Sequence, residues 1–405
     1  MAGKPIVVMK FGGTSVADAT GRAALARRVT AALELGRAPV VVVSAMGRSG
    51  APYATDTLLA LVADLPPDVR ESDLLASVGE LVSAVVVAHE LRGAGIPAAA
   101  FSGAQAGIAT DGVAGNAAIT RIDPQLLVHA INDGRVPVVA GFQGMADDGT
   151  LTTLGRGGSD TTACALGVAL HADEVEIYTD VDGVMSADPR TCSASEVLTT
   201  IRADELFQMA AAGSRVVHTP AAELALASGL AVRVRNTFSD HDGTMVADIG
   251  AYRPDRVATA VSHTHGVSRI RITLPSPEGT AGHMSAQTMV YRAMADAGVS
   301  LDMFTPLGSV LVVTIDDDAL PQAAGVLADL SLECVVSSGL SKVTLVGAGM
   351  HGVPGVMARM AEYLAQAGVD VYQSADSHTT ISVLVRTDDA EAAIRALHDG
   401  FELGE

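Results

Sequence analysis

Three glycine-bearing turns hold the residues of this chain that could do chemistry. The first is Lys10-Phe11-Gly12-Gly13-Thr14-Ser15, directly after the short apolar run Ile6–Met9. Glycines there let backbone N–H groups approach a ligand closely, and Ser15 can cap a following helix whose N-terminus attracts anions. Lys10 adds a mobile point charge and is one of only three lysines in the chain, the other basic residues being arginines. A plain glycine turn between strand and helix fits the spacing equally well. The second turn is Thr152 to Thr162, in which Gly155, Arg156, Gly157 and Gly158 lead into a helix at Ser159 or Asp160. It is of phosphate- or carboxylate-binding type. It matches neither GxxxxGK[ST] nor a clean GxGxxG, and a flexible helix start is the plainer reading. The third is Tyr178 to Arg190, where Asp180 and Asp182 could touch a metal or ribose hydroxyls and Arg190 a phosphate. For Asp182 or Asp188 singly, a solvated Asx-rich turn is the better reading.

The elements that must position these turns alternate in type. Ile6–Met9, Val40–Ser44, Ala98–Phe101, Val136–Ala140, Glu174–Thr179 and Ala231–Asn236 read as strands. Between them Ala17–Leu35, Leu81–Leu91, Asp160–Leu170 and Ala203–Ala212 read as helices. This order predicts an α/β fold with a mostly parallel sheet flanked by helices. All three turns then fall near strand ends, where open α/β sheets bind ligands.

The character changes near Asp248–Arg256, a polar stretch with Gly250 and Pro254. Beyond it a β-α-β order repeats. The phrases MADAGVSLDM and LAQAGVDVYQ read as one helix end and strand in two copies, with Gly298 and Gly368 as C-caps. Two small ferredoxin-like units are expected. His263-Thr264-His265 reads as solvated linker rather than a metal pair. Met350, Met357 and Met360 read as core.

Composition limits the classes further. Of 405 residues 49% are hydrophobic and 3% aromatic, and Trp is absent, so the core must be built from aliphatic residues. Few aromatics and a formal charge of −20 argue against a nucleic-acid partner. Cys164, Cys192 and Cys334 are far apart and in no ligand spacing, which indicates neither disulfides nor zinc. No apolar run reads as a signal core or a membrane span, so the expectation is a soluble, cytoplasmic protein without a membrane partner.

Taken in order, KFGGTSVAD, VVVVSAMG, VAGFQG, TLGRGGSDTTA and EIYTDVDGVMSADPR closely resemble the aspartate kinases of the amino-acid kinase superfamily. The resemblance covers essentially the whole chain, and its C-terminal part is similar to the paired ACT domains of those enzymes. SAMGRSGAPYATDTLLAL, SGAQAG and QSADSHTTISVLV are closest in look to the diaminopimelate-responsive class. The resemblance implies a kinase domain over residues 1–248, a first ACT unit over 260–340 and a second over 341–394. In relatives the second unit is inserted within the first, so residues 395–405 are a candidate to complete the first.

The resemblance also implies roles. Glu80 binds the ammonium of L-aspartate, Arg156 clamps a carboxylate, Thr55 and Ser159 add hydroxyl contacts, and Phe142 walls the pocket. Lys10 bridges the attacking carboxylate and the phosphoryl group and is held by Asp160. Gly12, Gly13, Thr14, Ser15, Thr179, Asp180, Met185, Arg190 and Arg215 face ATP, with Mg2+ bridging its phosphates. Two plainer readings stand beside these: Phe142 as core and Ser83 as a helix-surface hydroxyl. The implied partners are an effector amino acid at the ACT units (diaminopimelate, lysine or threonine) and further copies of the chain, as a homodimer or homotetramer formed through them.

Two departures from the family pattern stand out. Where many members have Gly-Ala-Lys followed by His-Pro-Arg, this chain has Gly213-Ser214-Arg215 and His218-Thr219-Pro220. Arg215 keeps the charge of the ATP-contacting lysine without its geometry. Asp302-Met303-Phe304-Thr305-Pro306 lacks the Gln-Asn pair of many threonine- and lysine-sensitive relatives. The alternatives are a paralogue acting on another amino acid and a catalytically weak amino-acid sensor.

Overall fold

The computed structural model describes residues 4–214, 217–246, 257–275, 280–350 and 352–403. Arg215, the polar stretch at Asp248–Arg256 and Gly404 lie outside the described residues. The chain divides into two units, one of residues 1–185, 197–211 and 215–253, the other of 186–196, 212–214 and 254–405.

The first unit opens with β1 (Ile6–Phe11), α1 (Gly13–Val16), α2 (Ala19–Glu34) and β2 (Ala38–Val43). Then come α3 (Thr55–Ala60), α4 (Val69–Gly93), β3 (Ala98–Phe101), β4 (Ile108–Thr110) and β5 (Ile119–Ile122). They are followed by α5 (Gln125–Asn132), β6 (Val136–Ala140), β7 (Gln143–Ala146), β8 (Leu151–Thr153), α6 (Gly158–Ala169) and β9 (Glu174–Thr179). β10 (Thr200–Ile201), α7 (Ala203–Ala211), α8 (Thr219–Ser228), β11 (Val232–Asn236) and β12 (Thr244–Val246) complete it. Eight strands form the main sheet in the order β10-β12-β11-β9-β1-β2-β6-β3, parallel except for the β11–β12 pair. Its centre, β1 and β2, carries Val7, Val8, Met9 and Val40–Val43 with no exposed surface, as expected of strands covered on both faces. A second sheet, β5-β4-β7-β8, stands beside it and was not expected from sequence.

Two helices differ from expectation. Ser15 caps no long helix: it sits inside α1, fully buried, with its hydroxyl 2.6 Å from that of Thr237. Asp18 is the N-cap of α2, accepting from the Gly21 N–H at 2.8 Å. α4 begins twelve residues before the expected Leu81, capped by Asp68. By length and composition α4 would pass for a membrane span, although half of that stretch is buried within the protein.

The second unit contains β13 (Ala260–Thr273), α9 (Thr280–Asp296), β14 (Phe304–Leu307), β15 (Val310–Asp316), α10 (Leu320–Asp329) and β16 (Cys334–Val346). It closes with α11 (Val356–Gln366), β17 (Gln373–Asp376), β18 (Thr380–Arg386) and α12 (Ala390–Gly400). Its sheet is antiparallel, ordered β14-β15-β13-β16-β18-β17. The long strands β13 and β16 serve both halves. Val267–Thr273 pairs with β15, and Leu340–Val346 pairs with β18. His263 and His265 therefore lie within a strand, not a linker, and Gly266 at φ 72° marks the irregular register between the halves. Gly298 and Gly368 both end helices with positive φ, as their matching phrases predict. Phe401 and Leu403 pack with Val343, Leu345 and Met360 in the second half's core, so the C-terminus does not return to the first half. Met350 and Met360 are core, whereas Met357 is 41% exposed.

Candidate active site

A cavity of about 570 Å³ opens in the first unit, lined by the C-terminal ends of β1 and β2, by α3 and α4, and by the start of α6. Lys10, Gly13, Thr55 and Glu80 line it, and so do Phe142, Arg156, Ser159 and Asp160. The parallel order of β1, β2 and β9 brings these distant residues together, because each strand delivers its following turn to the same edge.

The centre of the cavity is an ion pair. Lys10 Nζ lies 2.5 Å from Asp160 Oδ1, with the two side chains 12% and 4% exposed. Asp160 sits in the first turn of α6, where the helix dipole favours a carboxylate. The turn before α6 requires glycine: Gly157 has φ 72°, and a Cβ there would come within 2.1 Å of the His218 ring. At the other wall a Cβ on Gly13 would meet the Gly47 carbonyl at 2.6 Å. Both turns thus hold backbone close to backbone or ring, an approach that only glycine permits.

Glu80 carries the most perturbed carboxyl group of the cavity. It is 3% exposed on the inner face of α4, and Oε1 accepts from the Ala45 N–H at 3.2 Å. Oε2 is buried without a hydrogen-bond partner. Burial pushes its pKa up to about 7, against the lowering influence of backbone amides and the Thr55 hydroxyl. Phe142 adopts φ 69°, a conformation rare for an aromatic residue, held by its N–H to Thr162 Oγ1 and its carbonyl to the Leu154 N–H. It lines the cavity rather than the core. Ser83 is fully buried, not a surface hydroxyl.

The nucleotide-assigned residues divide. Gly12 and Thr14 adjoin the lining residue Gly13, and the Gly12 N–H donates to the Tyr178 carbonyl at the end of β9. Asp180 meets Arg48, itself a lining residue, at 2.6 Å, and the Thr179 hydroxyl donates to Asp180 at 3.3 Å. Asp182 accepts from Asn236 at 2.8 Å and from Ser239 at 2.5 Å, which lowers its pKa and fits the plain-turn reading. Met185 is half-buried and bridges to Val197. Ser15 and Arg190 do not line the cavity. Arg190 belongs to the second unit, 82% exposed and paired with Asp188 at 2.6 Å.

Sequence reading missed several lining residues. Arg48 and Gly47 follow β2 in the SAMGRSG phrase, and only their nearness to that strand end signalled them. Asp73 holds the wall together: it accepts from the Gly115 N–H and from the Thr153 N–H and hydroxyl at 2.7–2.9 Å. His218 had no signal beyond its place in the departure from family pattern.

A second cavity, about 360 Å³, lies wholly in the second unit, between the loop leading into α11 and strand β17. Met350, Val356 and Ile381 form its floor, with Ser374, Asp376 and Ser377 at one side.

A glycine-lined cavity at parallel strand ends, with a buried ion pair at its centre, suits phosphoryl transfer to a small molecule. The comparisons agree. Residues 5–236 match the Amino acid kinase family and residues 335–399 the ACT domain. Aspartokinase 1 of Bacillus subtilis is 41% identical over 409 residues, covering 99% of this chain and 100% of its own length. The aspartokinase of Thermus thermophilus is 38% identical over 412 residues, covering 98% and 99%. Escherichia coli aspartokinase III in complex with aspartate and ADP (R-state) superimposes with a TM-score of 0.80 at 26% identity, over 98% and 99% of the two chains. The same enzyme with lysine and aspartate (T-state) gives 0.74 at 25% identity, with the same coverage. The chain belongs to the amino acid kinase family, as an aspartokinase with C-terminal ACT units.

Proposed function

We propose that the chain transfers the γ-phosphoryl group of ATP to the β-carboxylate of L-aspartate, giving 4-phospho-L-aspartate and ADP. One observation carries the reading in its detail: Glu80 Oε2, buried and without a partner, in the wall that also holds the Lys10–Asp160 pair. A buried acceptor of this kind calls for a donor, and the ammonium of an α-amino acid supplies one that also neutralises the charge. Arg156 then takes a carboxylate through two parallel charge-assisted bonds. Thr55 and Ser159 add hydroxyls, and Phe142 closes the side.

The step needs no general base, because a β-carboxylate with a reference pKa near ~4 is already ionised at neutral pH. One carboxylate oxygen bonds to the γ-phosphorus as the bond to the β,γ-bridging oxygen breaks and ADP leaves. Lys10 stabilises charge on the phosphoryl oxygens, and Asp160 fixes the direction of its ammonium. Gly12 and Gly13, with Thr14, Thr179, Asp180, Met185 and Arg215, are assigned to the nucleotide, whereas Arg190, paired with Asp188 in the second unit, is set aside. Ser15, spent on Thr237, is reduced to holding that turn. Among the described residues no group of three or more His, Cys, Asp or Glu forms a metal cage. Magnesium arrives with ATP in this reading, held by its phosphates and by water.

The effector amino acid is assigned to the second unit, at the cavity beside Asp376, in keeping with the lysine-bound T-state of the E. coli enzyme. The product leads towards diaminopimelate, lysine, threonine and methionine. Association of copies through the ACT units completes the reading.

The test is ATP-dependent formation of an acyl phosphate, trapped by hydroxylamine, with L-aspartate, L-glutamate or no amino acid. Each arm is run with and without diaminopimelate, lysine or threonine. An aspartate-dependent product, lowered by one of the three, is expected. Turnover with glutamate instead moves the substrate to another acidic amino acid. No turnover by folded, effector-binding protein leaves the sensor reading.

A further inference from the structure

Arg48 has no role in the reading above, yet its ion pair lies across the mouth of the first cavity. It sits in the loop after β2 and meets Asp180, in the turn after β9, Nη2 to Oδ2 at 2.6 Å. The sheet runs β9-β1-β2, all parallel, so a bond from the loop after β2 to the turn after β9 crosses the end of β1. Lys10, Gly12 and Gly13 stand at that end. A Cβ built on Gly12 would lie 3.7 Å from the Tyr178 carbonyl and 3.8 Å from Lys10 Nζ, which puts the ammonium at the same place. A ligand seated between the turns after β1 and β9 therefore meets the Arg48–Asp180 pair.

The backbone that carries Arg48 is fixed. The Gly47 N–H donates to the Gly13 carbonyl at 3.0 Å, and the Ala51 N–H to the Arg48 carbonyl at 2.8 Å. Gly47 has φ 90°, and a Cβ there would lie 2.4 Å from that of Ala51, so the turn closes tightly on itself. The side chain is the opposite. It is 74% exposed, and that of Asp180 is 41% exposed. A pair this open to water is weak and exchanges partners at little cost. Among the described hydrogen bonds it engages Nη2 alone, whereas a guanidinium offers five donors in a fork that fits two phosphoryl oxygens.

Among the described residues, the lysines and arginines of the lining are Lys10, Arg48 and Arg156. Lys10 is neutralised by the buried Asp160, and Arg156 is assigned to a carboxylate of the substrate. The chain as a whole carries a formal charge of −20, a field that opposes an incoming anion unless cations stand at the site itself. Of the three, Arg48 is the one left for a polyphosphate. We propose that Arg48 is a phosphate clamp: as ATP enters, its guanidinium leaves Asp180 and takes two oxygens of the phosphate chain over the end of β1. The assignment rests on the kinase reading and adds a nucleotide-binding residue to it. In the free protein Asp180 holds the side chain across the site, and little is lost on exchange because that pair is solvated. Lys10 and Arg48 then grip the phosphate chain from two loops already tied together through Gly13 and Gly47.

The test is calorimetry of the full-length chain with ATP and magnesium, and separately with adenosine, for the native sequence, Arg48→Ala and Arg48→Lys. Arg48→Ala is expected to weaken ATP about 30-fold, in the range for losing charge-assisted hydrogen bonds, and to leave adenosine unchanged. Arg48→Lys keeps the charge without the fork and is expected to bind ATP about tenfold more weakly than native. In turnover the KM for ATP should rise by similar factors while the KM for aspartate stays native. Both variants should melt near the native temperature, since an exposed pair adds little to stability. Unchanged ATP affinity in folded Arg48→Ala overturns the assignment. So does an equal loss for ATP and adenosine, which would make Arg48 a brace for the turn after β9. A native chain that turns over aspartate, beside an Arg48→Ala variant that binds ATP normally, removes the clamp and leaves the kinase reading standing. A native chain that binds no ATP removes both.

Discussion

The two cavities of this molecule are built from opposite materials. That of the first unit is walled by a buried Lys10–Asp160 pair, by Arg48 and Arg156, and by a carboxyl group raised to about pKa 7 by burial. That of the second unit has an aliphatic and methionine floor, and Asp376 is the only charged residue among its described lining. Charged groups held out of water are costly and persist where they act on charge that develops in a reaction. An apolar pocket with a polar rim holds a ligand without altering it. On the proposed function the difference separates chemistry from control, so each should yield to substitution without the other.

The largest expected effect breaks the first site alone. Lys10→Ala should lower kcat by about 10³-fold, the order for removing a preorganised electrostatic group. Effector binding, followed by calorimetry, should be unchanged. Loss of both in a folded variant would erase the distinction between the cavities.

Glu80 tests whether burial serves the substrate. Glu80→Gln should raise the KM for aspartate by about 10²-fold, as expected when one partner of a buried charge pair is removed. Its folded pKa is raised from 4.5 to about 7, so the stabilising contribution of the protonated form is complete below 4.5 and lost as pH rises through 7. The free native protein therefore carries a cost of roughly 3 kcal/mol above pH 7, from about 2.5 pKa units at about 1.4 kcal/mol each. Glu80→Gln should relieve it: denaturant unfolding at pH 8 should show the variant more stable, and at pH 4 no difference. In the native enzyme the KM for aspartate should fall as pH rises through 7, and the variant should lack that step. An equally pH-dependent KM in Glu80→Gln would show that another group recognises the ammonium.

Arg156→Lys should reduce kcat/KM for aspartate about 30-fold, because an ammonium cannot make two parallel bonds to a carboxylate. A loss in ATP affinity with aspartate affinity intact would reassign Arg156 to the phosphates.

How far the sequence speaks depends on what each residue owes to its neighbours in the chain. Lys10, Arg156 and Asp160 were legible because glycine turns after apolar runs can only sit at strand ends, and parallel order then gathers them. The first half of α4 was not, because Asp73, Ser77, Glu80 and Ser83 lie on its buried face and erase the apolar periodicity that marks a helix. β13 was read in part as linker for a related reason. Its His263-Thr264-His265 segment is polar, and pairing with Val343, Lys342 and Ser341 of β16, distant in the chain, makes it a strand. Arg190 was placed by motif, yet its segment of the chain packs with the second unit through Ala187 and Cys192. Such tertiary exchanges leave no local trace.

The smallest predicted effect probes the second site. Asp376 stands beside Ser374 and Ser377 over the floor of Met350 and Ile381. An amino-acid effector brings an ammonium, and Asp376 is the one described anion of the lining that can meet it. The carboxylate is exposed, so water screens the pair and its worth is modest. Asp376→Asn should therefore raise the effector concentration for half-inhibition about tenfold, about 1.4 kcal/mol. Uninhibited kcat and the KM values for aspartate and ATP should stay native, since the residue belongs to the second unit's own cavity. If inhibition is unchanged while Met357→Glu, at the same mouth, abolishes it, the pocket binds the effector through its apolar part. If neither variant alters inhibition, the effector binds elsewhere, and the second cavity has no part in control.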